Sequence, residues 1–291
     1  MGEIIIDSGF GFLKAWEVTL MCIAAFGAII IMPLCRRIAL RIGLVSEKSM
    51  PVVGGIVACL FAMAMVLMHI NRLLMTGVFV MGMLGIVCDK GWLRGWMKLV
   101  CQVVVCLAYL RIGYGAFYPM IWLHLFLMLC VVNAIDLLRG INGLTIAIFV
   151  IAFIPLALIG YKLFLTSICG ALIVLYYNNV VRHDVALGSG LSLALGFMIA
   201  GLIFSPGFVM YGALDQASWY CALDSVMFVL LILPLPLLDM ARSLLFRSEG
   251  IHLSLARHGI RDGIVSVLMV ALNIVGFIAI WMLMDVIEII L

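Results

Sequence analysis

Apolar residues run through this chain in long blocks, and each block is closed by a cluster of charged, amide or glycine residues. A helix needs about 17 to 25 apolar residues to cross a hydrocarbon core of roughly 30 Å. Ten segments approach or reach that length: 16–34, 52–70, 73–88, 98–112, 118–135, 144–161, 163–180, 186–209, 222–240 and 264–287. The third and fourth are short, which predicts that they kink or extend into the flanking residues. The expected fold class is all-α: a polytopic integral membrane protein, one transmembrane domain over 1–291, with about ten transmembrane helices.

Positive charge gives this pattern an orientation. With the N-terminus outside, the inner loops receive Arg36, Arg37, Arg41, Lys48, Lys90, Arg94, Lys98, Arg139, Arg182, Arg242, Arg247, Arg257 and Arg261, and the outer ones keep Lys14, Arg72, Arg111 and Lys162. That asymmetry obeys the positive-inside rule and predicts that N-terminus and C-terminus both face outward. The first residues lack the basic region, apolar core and cleavage site of a signal peptide, so they are expected to remain on the mature protein.

Composition agrees, since 67% of the residues are hydrophobic and 11% charged, against roughly one-half and one-quarter in a soluble domain. A formal charge of +3 is too small to point to nucleic acid. The nine cysteines have no spacing that marks a disulfide framework or a zinc site, and read as small residues of a membrane core.

Candidate chemistry concentrates at Asn133–Thr145, NAIDLLRGINGLT, which sets an Asp, an Arg and two Asn at the end of an apolar run. Polar groups at that depth are costly unless paired or facing water, so they mark a functional site by default. Gly140 and Gly143 permit close backbone approach to a ligand or a neighbouring helix. Asp89, Asn179, His183, Asp184, Ser189, Asp239, His252 and His258 fall in the same set of expected inner loops, whereas 114–119 and 206–219 on the other side carry little.

Five stretches, in order from about residue 33 to 275, resemble the polyprenyl-phosphate N-acetylhexosamine-1-phosphate transferases (glycosyltransferase family 4), most nearly the bacterial undecaprenyl-phosphate GlcNAc-1-phosphate transferases. Residues 33–58 resemble the family's first inner loop, with Pro51 and the Gly54–Gly55 pair opening the second helix. Residues 85–102 resemble its Gly-x-x-Asp-Asp segment, with Asp89, Lys98 and Gln102 in register. Asn133, Ala134, Gly140, Ile141, Asn142, Gly143 and Leu144 match its central motif, with Asp136 in register where the family has its second Asn. In 177–197, Asn179, Gly188, Ser192, Gly196 and Phe197 are in register. Across 234–263 the matching positions are Pro236, Asp239, His252, Leu255 and Gly259. The stripe Gly188, Ser192, Gly196 also reads as a helix-packing face.

The departures from the family are chemical, because Cys88, Arg139 and Ser189 stand where it carries acids. The resemblance implies transfer of a sugar 1-phosphate from a UDP-sugar to polyprenyl (undecaprenyl) phosphate on the cytoplasmic face of the bacterial inner membrane. Asp89, Asn133, Asp136 and Arg139 are then the catalytic residues. Lys98, Asn142, Asn179, Asp239 and His252 bind substrate. Asp89 and Asp136 are the remaining ligands for Mg2+, Asp184 is a possible replacement, and membrane lipid and a homodimer are the implied partners. Because such chemistry rests on neutralising phosphate charge, two readings stand. The chain is a divergent transferase with a displaced magnesium or with Arg139 on the diphosphate, or it is a catalytically silent relative that binds lipid phosphate, nucleotide sugar or a membrane partner. A third class, a small transporter or flippase, also places polar residues on broken helices, although no internal repeat supports it.

Overall fold

A computed structural model describes residues 15–46, 49–68, 71–115, 120–156, 162–205, 226–227, 229–246, 251–258 and 262–290. Lys14, Lys48, Arg247 and Arg261 of the charge count lie outside them, as do Cys221, Gly259 and the expected loop 206–219.

The chain forms α1 (Ala15–Ile42), α2 (Gly54–Leu67), α3 (Arg72–Asp89), α4 (Gly95–Tyr114) and α5 (Ile121–Leu137), which ends in the 3₁₀ turn Leu138–Gly140. It continues with α6 (Leu144–Leu156), α7 (Lys162–Tyr176) running into the π turn Tyr177–Val181, α8 (Gly188–Ile203), α9 (Pro234–Phe246), α10 (Ile251–Arg257) and α11 (Asp262–Ile290). The fold is 85% helical; among the described residues pairing outside helices is limited to two isolated bridges, Val45 with Pro51 and Val52 with Ala186.

Each of the ten expected apolar segments contains helix, and among the described residues four helices are long and apolar enough to cross a membrane by length and composition: Val18–Ile42, Arg72–Asp89, Gly95–Tyr114 and Ile121–Gly140. These fit a membrane-embedded protein. The third and fourth segments do extend beyond their expected limits. The first runs eight residues past its expected end at 34, because Arg36, Arg37 and Arg41 are good helix formers. It stops at Gly43, whose φ of +70° lets the Leu44 and Gly43 amides turn back to the Ala39 and Leu40 carbonyls and close the helix.

The core is organised around α8, every residue of which from Ser189 to Ile203 is buried. Small residues let its neighbours approach to backbone contact. A methyl on Gly85 of α3 would lie 2.4 Å from the Gly190 Cα, and one on Gly190 would lie 2.4 Å from the Gly55 Cα of α2. Gly196 packs on Val132 of α5 in the same way. Further along, the Tyr109 hydroxyl of α4 donates to the Gly201 carbonyl at 2.7 Å, and its ring meets Phe197 edge-on at 5.4 Å. The Gly85–Gly190 crossing lies about one turn before Asp89, so packing alone brings the end of α3 to the start of α8.

Candidate functional site

At that junction Asp89 closes the N-terminus of α8 from another helix. Its carboxylate accepts the Ser189 amide at 2.8 Å and the Gly190 amide at 3.2 Å, satisfying orphan donors that α8 does not cap from its own side chains. The negative charge also sits favourably at the positive end of the helix. Gly188 makes room for it: its φ is +72°, and a Cβ there would lie 2.4 Å from Asp89 Oδ2 and 2.3 Å from Val52 Cγ1. Arg139, on the 3₁₀ turn after α5, stands 3.8 Å from Asp89 Oδ1 with its side chain 45% exposed.

One turn earlier, Asp136 is held on both oxygens. Lys98 of α4 pairs with Oδ2, and the Ser192 hydroxyl of α8 donates to Oδ1 at 2.7 Å. Ser192 therefore does more than fill the small-residue stripe in which its position places it. The serine at that spacing was the available signal, and it reads equally well as packing.

The third carboxylate, Asp239 of α9, is fully buried and also engaged twice. It accepts the Ile251 amide at the start of α10 and the Nδ1–H of His252. Where a lone loop histidine is expected to be solvated, His252 is 1% exposed and sits on a helix. Its Nε2 has no hydrogen-bond partner among the described residues and lies 4.0 Å from where a Gly140 Cβ would be.

Four of the five matching stretches converge on one cavity of about 450 Å³. Ser46, Met50 and Val52 come from the first, Cys88 and Asp89 from the second, Arg139 to Asn142 from the third, and Asn179 with Ala186 to Gly188 from the fourth. The fifth adjoins it through His252 at Gly140. Asn179 gives its amide to the Val185 carbonyl at 2.8 Å, while its buried Oδ1 has no partner among the described residues. The cavity thus presents one exposed guanidinium, while the Asn179 Oδ1 in its wall and the His252 Nε2 beside it are buried without a partner among the described residues.

Of the expected site residues, Lys98, Asn133, Asp136, Asp184, Asp239 and His252 do not line this cavity. Asn133 turns its amide back to the Leu129 carbonyl of its own helix at 2.8 Å and does not line the cavity. Asp184 lies 3.8 Å from Arg36 in a different cavity, because the chain between 182 and 186 presents its residues to opposite sides. Sequence reasoning named neither Ser46 nor Met50, whose loop carries no distinguishing chemistry.

A hard divalent cation wants several oxygen ligands, commonly carboxylates free to turn toward it. Among the described residues no group of three His, Cys, Asp or Glu side chains could hold a metal. Of the two expected ligands, Asp136 is neutralised by Lys98 and Asp89 is turned onto α8. The residues present do not fit magnesium.

Compared with known proteins, the chain matches no family model and no curated protein.

Proposed function

We propose that this cavity takes a UDP-sugar and polyprenyl phosphate and transfers the sugar 1-phosphate between them without a metal, Arg139 carrying the positive charge. The observation that supports this most is the convergence of four separately matching stretches on a single cavity. In this reading an oxygen of the lipid phosphate attacks the sugar-bearing phosphorus. The bridging P–O bond breaks, UMP leaves, and a polyprenyl diphosphate sugar is formed. A phosphate monoester is already largely dianionic at neutral pH, so the attacking oxygen needs no general base. What it needs is cationic charge against two anions, a role in which a single arginine is worth about 10³ to 10⁵ in rate. The Asn179 Oδ1, an acceptor in the cavity wall, suits a sugar hydroxyl, which is a donor. The helix ends bearing Arg41, Lys90, Lys98, Arg139 and Arg182 belong to the expected cytoplasmic side, which is where a nucleotide sugar is made available.

A silent relative is the second reading, favoured by one observation: Asp89, Asp136 and Asp239 are each held by donors within the protein. Both are tested by measuring UMP release from UDP-N-acetylglucosamine with undecaprenyl phosphate in detergent micelles. The expected result is release that survives EDTA and falls at least about 100-fold in Arg139→Gln. Binding of UDP-sugar without UMP release supports the silent relative. No binding of either substrate removes both readings.

A further inference from the structure

A second cavity, of about 780 Å³, opens between α1 and the π turn of α7. The two helices touch at Gly170, where a Cβ would meet the Met21 carbonyl at 2.1 Å. Beyond that contact two features part them. Pro33 inside α1 has no N–H to return to the Ile29 carbonyl, which loosens the helix there. The π turn then swells α7 opposite it, a distortion frequent at functional sites.

Polarity is graded along this cavity. Ile29 and Ile173, both 56% exposed, lie at one end, and Arg36, Arg37 and Arg182 at the other. Ile29 and Arg36 lie about 10 Å apart along α1. Three guanidiniums and the Asp184 carboxylate line it, and the 3.8 Å approach of Asp184 to Arg36 is long for an ion pair. The Arg182 guanidinium is set over the Tyr177 ring at 5.6 Å, which holds its planar fork in place.

The wall between the two cavities is one strand of main chain on each side. Asn178 and Val185 face the arginine cavity, while Asn179 and Ala186 face the candidate site. The Asp184 amide donates to the Asn178 carbonyl at 3.0 Å across it. A ligand among the arginines is therefore back to back with the candidate site and separate from it. Ile29, Pro33 and Leu40 of α1 line the cavity and are themselves exposed, so it opens sideways, toward whatever surrounds the helices.

We propose that the arginine cavity binds an anionic glycerophospholipid, with its phosphodiester on Arg36, Arg37 and Arg182 and an acyl chain laid over Pro33 between Ile29 and Ile173. Charge complementarity and lateral access select this occupant, since basic pockets between helices take lipid headgroups in this way. The site stands independently of the transferase reading.

The test is native mass spectrometry of the full chain in neutral detergent, titrated separately with phosphatidylglycerol, phosphatidylcholine, undecaprenyl phosphate and inorganic phosphate. Phosphatidylglycerol is expected to bind at least about tenfold more tightly than phosphatidylcholine. Arg36→Gln with Arg182→Gln should lower that affinity about tenfold or more, as loss of charge-assisted contacts requires. Asp184→Asn should raise it severalfold, a gain that misfolding would not produce. Equal binding of the two phospholipids, or wild-type affinity in the double variant, overturns the proposal. So does displacement of phosphatidylglycerol by inorganic phosphate or undecaprenyl phosphate at equal concentration, which would assign the site to a free anion or to the polyprenyl lipid.

Discussion

Replacing Lys98 by methionine removes the cation from Asp136 while keeping the length and apolar stem of the side chain. The two side chains are 16% and 10% exposed, so Asp136 cannot turn to bulk water when its partner goes. Breaking such a pair from one side costs about 3 to 5 kcal/mol. The Ser192 hydroxyl, still 2.7 Å from Oδ1, offsets about 1 kcal/mol of this, leaving an expected loss of about 3 kcal/mol. Removing both charges, as Lys98→Met with Asp136→Leu, strands nothing. Ser192 keeps the Ser189 carbonyl at 3.1 Å, and the double variant should fall within about 1 kcal/mol of the parent, since apolar replacement of a buried pair is often neutral. The assay is a double-mutant cycle on unfolding free energies from SDS titration in mixed micelles, followed by circular dichroism. If each single change costs under about 0.5 kcal/mol and the pair adds within the same margin, Lys98 and Asp136 are not a buried ion pair and the account of this corner is wrong.

Gly188→Ala should destabilise by about 3 kcal/mol, combining the left-handed backbone penalty of about 1 to 2 kcal/mol with displacement of the Asp89 carboxylate from the α8 amides. Thermal unfolding in detergent within about 0.5 kcal/mol of the parent would refute the capping role of Asp89. Asp239→Ala leaves the Ile251 amide without its acceptor and His252 without its anchor. Amide exchange should therefore accelerate across Ile251–Arg257 while α8 stays protected; unchanged protection of α10 would count against the contact.

The sequence carried the helical class and the grouping of its chemistry, and it did so for a physical reason. Hydropathy accumulates residue by residue, so blocks such as 16–34 and 118–135 announce apolar helices whatever they pack against. Likewise, Asp89, Arg139, Asn142 and Asn179 stood out as candidate site residues because polar side chains at the ends of apolar runs need an explanation. Charge could not be placed so easily along α1, where Arg36, Arg37 and Arg41 continue the helix and the stop is set by the glycine at 43.

Only the tertiary structure decided which partner each polar group takes. Asp89 meets amides a hundred residues away because Gly85 and Gly190 let two backbones touch, and no periodicity in either helix records that contact. Asn133 and Asp136 are three residues apart on one helix, yet one turns to its own carbonyl and the other finds Lys98 and Ser192. Asp184 and Ala186 are two apart and face different cavities. Hydropathy is a property of a stretch and can be read along the chain. Hydrogen bonding depends on ångström-scale approach between stretches, and that exists only once the helices have packed.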